Sequence, residues 1–111
     1  MLSVDMKVLR TGCMLVCRGD VTGGKEAEYL FNLITREDKG DVIVDLGGVS
    51  AIDNQGVAVI IAAYTILRNC GRKLFLKSPS TDVVRALQER AVEVLYYSEP
   101  RYAAAPTSRV Q

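Results

Sequence analysis

Polar and apolar positions alternate at the start of the chain. Leu2, Val4, Met6 and Val8 are separated by polar residues, a period of two that predicts an amphipathic strand with one face on a core. Gly12 interrupts the pattern. Residues 13–17 (CMLVC) are then continuously apolar, as expected of a strand covered on both faces. After Asp20-Val21-Thr22-Gly23-Gly24 the period changes. Over residues 25–37, Ala27, Leu30, Phe31 and Ile34 recur at helical spacing, behind a start supplied by Thr22 and the glycines, with Glu26 and Glu28 in the first turn. Gly40 is a natural stop for that helix. Residues 41–46 (DVIVDL) are short, rich in β-branched side chains and bounded by Gly47-Gly48, which predicts a central strand.

The second half continues the alternation. Residues 54–69 form a helical pattern closed by Gly71, and KLFLK, 73–77, reads as another strand. Ser78-Pro79 opens a third helix, with Ser78 expected as N-cap, Pro79 at the first helical position, and Val83, Val84 and Leu87 as the buried stripe. VEVLYY, 92–97, fits a final edge strand. Ser98-Glu99-Pro100 fits the start of a short helix through Ala105, and residues 106–111 read as a loose tail. The first two strands lie near enough for a hairpin, whereas strands alternating with helices after residue 20 require parallel crossovers. The expected fold is α/β: one domain over residues 1–111, a small mixed sheet of four to five strands with three to four helices packed on it.

Composition narrows the function. The 111 residues suffice for one core, and 49% hydrophobic with 24% charged residues is ordinary for a soluble domain. The net charge is +1 and the 14 Lys and Arg are scattered, so no basic field points to nucleic acid. No apolar run reaches membrane-spanning length and no signal segment is visible, which gives the expectation of a cytoplasmic protein without direct membrane insertion. Histidine is absent, which removes Ser–His–Asp and Cys–His catalysis. Cys13 and Cys17 fall on the same strand face about 13 Å apart, too far for a disulfide. With Cys70 they fit small hydrophobes better than metal ligands, and no metal or cofactor is expected. Asp45 and Asp53 have no accompanying nucleophile, and Gly23-Gly24 is too short for a phosphate-binding loop. No enzyme is expected.

The chemistry that remains is concentrated in AIDNQGVAVIIAAY, residues 51–64. Asp53 or Asn54 is the natural N-cap of the helix that follows. Its first turn, Asn54, Gln55 and Gly56, offers free N–H donors at the positive end of the helix dipole, where a bound anion or a phosphorylated side chain is well tolerated. The helix is apolar nearly all round over its first two turns. Either it is sandwiched deeply, or it presents an apolar patch to a partner; Tyr64 suits both.

At this point a resemblance is visible. Residues 41–87 combine a V-D-L strand, a V-S-x-I-D loop, a glycine one turn into an apolar helix, a G-R-K-L turn and an S-P-S start of the third helix. They resemble the STAS domain of bacterial anti-sigma-factor antagonists. RGDVT, 18–22, is similar to an earlier turn of that family, and the likeness runs in order over roughly residues 8–105. It implies a non-enzymatic switch in transcription regulation. In the typical loop, Asp-Ser-Ser/Thr-Gly, the second hydroxyl is phosphorylated by a partner that is both kinase and anti-sigma factor, and the phosphorylated form lets go. The resemblance therefore implies partner contact through Asp20, Thr22, Asp53, Asn54, Gln55, Gly56, Val57 and Ile60.

This chain departs from the pattern where it matters. Gln55 stands at the phosphoacceptor position and Asn54 replaces the preceding hydroxyl residue; neither amide accepts a phosphoryl ester. Thr22 stands where many relatives carry an acid. The expected partner is a serine kinase/anti-sigma factor or a related regulator, bound without the usual phosphorylation. Ser50 and Ser78 are the nearby hydroxyls that such control would otherwise use. STAS domains also serve as cytoplasmic accessory subunits of transporters or of larger signalling assemblies, and a small-molecule or nucleotide-binding role is a further alternative.

Overall fold

A computed structural model describes residues 2–36, 40–90 and 94–97. The sheet has five strands in the order β1-β2-β3-β4-β5. They are β1 (Leu2–Leu9), β2 (Gly12–Val21), β3 (Asp41–Ile52), β4 (Leu74–Lys77) and β5 (Leu95–Tyr96); the helices are α1 (Gly23–Arg36), α2 (Asn54–Asn69) and α3 (Thr81–Glu89). β1 and β2 form the antiparallel hairpin, and every later neighbour is parallel. The crossovers β2–α1–β3, β3–α2–β4 and β4–α3–β5 all step the same way across the sheet. Because such crossovers are right-handed, they stack the three helices on one face.

The core lies between that helix layer and the sheet. Leu15, Cys17, Val42, Val44, Leu74 and Leu76 meet Leu30 and Ile34 of α1, Ile60, Ala63 and Leu67 of α2, and Leu87 of α3. Cys13 and Cys17 are buried and are not joined in a disulfide, as the spacing of the sequence required. Burial, with the charge of Asp45 adding to it, pushes the Cys17 thiol up to about 12, so it is no nucleophile. Met14 and Ile43 are also buried but fall outside the main cluster, on the opposite sheet face.

Three expectations need correction. Gly47-Gly48 does not end β3, which runs on to Ile52. The register with β2 shifts between Val16 and Arg18 and again between Gly19 and Asp20, each time with an extra residue on β3. The glycines sit in the first of these bulges, which bends a long strand instead of stopping it. Second, α3 begins at Thr81 and its N-cap is Ser80, whose hydroxyl accepts from the Val83 N–H at 3.2 Å. Ser78 instead takes a left-handed turn conformation, φ 53°, as the chain leaves β4, so Pro79 precedes the cap. Third, only the beginning of β1 reaches the core: Leu2 is buried and Val4 half-buried, while Met6 and Val8 are exposed. Of the expected last strand, residues 95–96 pair with β4. The proposed short helix after residue 97 and the 106–111 tail lie outside the described residues.

Candidate functional site

The site is built where two parallel strands end side by side. Val21, the last residue of β2, is in register with Ile52, the last residue of β3. Each strand then turns into a helix, so the N-termini of α1 and α2 emerge next to each other at one end of the sheet. Asp53 joins them. Its N–H donates to the Val21 carbonyl at 3.2 Å. One carboxylate oxygen accepts from the Gly56 N–H at 2.9 Å and the other from the Gly23 N–H at 2.8 Å. A single anion thereby caps α2 and also satisfies the first amide of α1, at the positive ends of both helix dipoles. These two hydrogen bonds, that from Gly23 first, hold the Asp53 carboxyl below the usual aspartate value.

Two glycines permit this closeness. Gly23 turns the chain into α1 with φ +82°. Gly56 lies where α2 presses on the strand ends. A Cβ there would stand 2.6 Å from Ile52 Cγ1 and 2.7 Å from the Val21 carbonyl oxygen. With the frame fixed in this way, Thr22, Gly24, Asn54 and Gln55 are exposed together at the tip. The Gln55 side chain reaches towards α1: its Oε1 would be 3.8 Å from a Cβ on Gly24.

The residues expected to meet a partner therefore divide. Thr22, Asn54 and Gln55 are exposed, and Asp20 is half-buried. Asp53 is half-buried and occupied with the frame. Gly56 is buried, and Val57 and Ile60, expected in the contact surface, are 3% and 0% exposed. They hold α2 to the sheet and cannot touch a partner from these positions. The apolar helix is thus explained mainly by burial between α1 and α3. Val59, Ile61 and Tyr64 pack partly on the core, and Ile66 is the large apolar side chain of α2 that stays exposed. Asp45 lies apart, accepting from the Gly47 N–H at 2.9 Å and standing 3.9 Å from the Lys77 ammonium. Ser50 and Ser78 are both exposed.

Two features were not anticipated from the sequence. The Asp53–Gly23 bond spans 30 positions; the Asp-x-x-Gly cap was legible locally, but nothing local names its second partner. Beside the tip, a cleft lies between the end of β3 and the start of α3, lined in part by Leu46, Ser50, Ile52, Ser80, Asp82 and Val83. Among the described residues no cluster of three or more His, Cys, Asp or Glu could hold a metal ion, and no helix is long and apolar enough to cross a membrane.

Residues 3–94 match the STAS domain family. The chain is a STAS domain. The fold agrees with solved structures of that kind. One is the anti-sigma factor antagonist SpoIIAA in its unphosphorylated form, at 15% identity, with 92% of this chain and 94% of that chain covered and a TM-score of 0.67. Another is a protein of Thermotoga maritima described as a candidate anti-sigma factor antagonist, at 18% identity, with 91% of each chain covered and a TM-score of 0.66. A third is RsbS of Moorella thermoacetica in a serine-to-glutamate variant, at 14% identity, with 88% of each covered and a TM-score of 0.59. No curated protein matches the sequence.

Proposed function

We propose that this STAS domain is a non-enzymatic regulatory module that binds a kinase-type anti-sigma factor through its tip, in a state that the usual phosphorylation does not reach. The observation that carries the reading is the tip's construction. Asp53 locks two turns into one frame, and what that frame displays is Thr22, Asn54 and Gln55. A surface of short polar side chains on a rigid base suits protein recognition, and it contains no nucleophile or acid–base pair. Gln55 is neutral, so it resembles an unphosphorylated residue at that position and carries no charge into an interface. Binding is then constitutive, or is controlled elsewhere.

The nucleotide-binding alternative is less well supported. At the start of α2, where a nucleotide phosphate would sit, the Gly56 N–H and the neighbouring Gly23 N–H are already taken by the Asp53 carboxylate, so these amides are not open to a phosphate. The test is recovery of the protein from its native cell with bound partners, followed by intact-mass measurement. The expected result is an unmodified chain with a kinase-type anti-sigma factor. A one-phosphate mass increase would contradict the reading by showing that another hydroxyl, such as Ser50, has taken over the switch.

A further inference from the structure

β1 is the edge of the sheet, and among the described residues no strand flanks its outer side. Its beginning is anchored: Leu2 is buried and its N–H donates to Glu26 of α1 at 3.4 Å. Further along, the strand runs out from under the helix layer. Met6 is 44% and Val8 85% exposed, although both lie on the face that bears the core. The opposite face of the same stretch carries Asp5 and Lys7. This is a long, proline-free edge with uncovered apolar side chains, the kind that pairs with another strand unless something prevents it.

We propose that β1 is the pairing edge for a second copy of this chain, joined antiparallel about a two-fold axis at Met6. The charges select the occupant and the register. A two-fold axis normal to the sheet sets each residue opposite one of the same face, so it must pass through a residue. With the axis at Met6, Asp5 lies opposite the second copy's Lys7, and Lys7 opposite its Asp5. Val4 lies opposite Val8, and the two Met6 side chains meet. Moving the axis to Asp5 sets two carboxylates face to face, and moving it to Lys7 sets two ammonium groups face to face, both unfavourable. Charges on an edge ordinarily keep all strands away; here they oppose the adjacent registers and match in one. Asp5 is already held by Arg18 at 2.8 Å, which fixes it on the strand surface.

Pairing leaves the tips free. Leu2 is in register with Gly19, near the tip end of β2, and the antiparallel copy runs the other way. The two tips stand at opposite ends of one continuous sheet, so the dimer is a bivalent partner for the protein that the tip binds.

Sedimentation equilibrium up to about 1 mM protein tests this with the wild type, Asp5→Lys, Lys7→Asp and an equimolar mixture of the two variants. The wild type is expected to dimerise and each variant alone to do so at least about tenfold more weakly. The mixture is expected to regain the dimer, because the lysine pair of one variant then faces the aspartate pair of the other. Oxidising Met6→Cys in a Cys70→Ser background supplies a readout that does not depend on charge. It should give a cross-linked dimer, since directly opposed positions lie within disulfide reach, whereas Val8→Cys should not. A wild type that stays monomeric, self-association unchanged in either variant, or a mixture that stays monomeric would overturn the proposal.

Discussion

Two helices begin at the same end of the sheet, and they begin differently. α3 is capped by Ser80, whose hydroxyl serves one amide of its own first turn. α2 is capped by Asp53, whose carboxylate serves its own first turn and the first amide of α1 as well. The α3 start is local: removing its cap shortens or frays one helix. The α2 start is shared, and it places residues that are far apart in sequence on one rigid surface. The difference teaches how a capped helix can put polar side chains on display. The cap residue is turned inward to organise the frame, and the residues beside it, Thr22, Asn54 and Gln55, are left outward.

The comparison breaks most severely at Gly56. Gly56→Val forces side-chain atoms into Ile52 and the Val21 carbonyl, and is expected to cost about 3 kcal/mol of stability, measured by urea denaturation. A loss below ~1 kcal/mol would mean that α2 does not press on the strand ends as described. Next come the two caps. Ser80→Ala should cost about 1 kcal/mol. Asp53→Ala should lower the denaturation midpoint further, because it releases two turns. Equal losses would remove the distinction between the shared and the local cap.

Acid sharpens the same contrast. The Asp53 carboxyl titrates lower in the folded chain than its ordinary 3.8, so between the two values the unfolded chain binds more protons and stability rises with pH. This stabilisation is fully present above the unfolded value and is lost as pH falls through the folded one. Asp53→Asn should flatten that part of the acid limb, and Ser80→Ala should leave its shape unchanged.

Much of the fold was legible in the chain. The alternation of Leu2 to Val8, the apolar CMLVC run and the helix-strand alternation after residue 20 pointed to a hairpin followed by parallel crossovers, which is the topology observed. Local punctuation misled where two solutions fit. Gly47-Gly48 reads equally as a strand end or a bulge, and Ser78 and Ser80 both precede a helical pattern; pairing with β2 and the turn out of β4 decided them. Faces of α2 were illegible because nearly every position is apolar, so Val57 and Ile60 could not be assigned inward. Met6 and Val8 follow the core pattern faithfully and still lie exposed, since the reach of the helix layer is a tertiary property. At the tip, Asp53 was legible as a cap, but the clasp to Gly23 was not.

The central claim is that Gln55 lies in the surface that a partner reads, on a frame that does not depend on it. Its most direct test is the partner affinity of Gln55→Glu beside the wild type, measured by titration with the proposed kinase-type anti-sigma-factor partner. The fold should be unaffected, because the start of α2 favours an anion. The affinity should fall at least about tenfold, as charge enters the interface. Unchanged affinity with an intact fold would contradict the account and move the contact surface away from the tip.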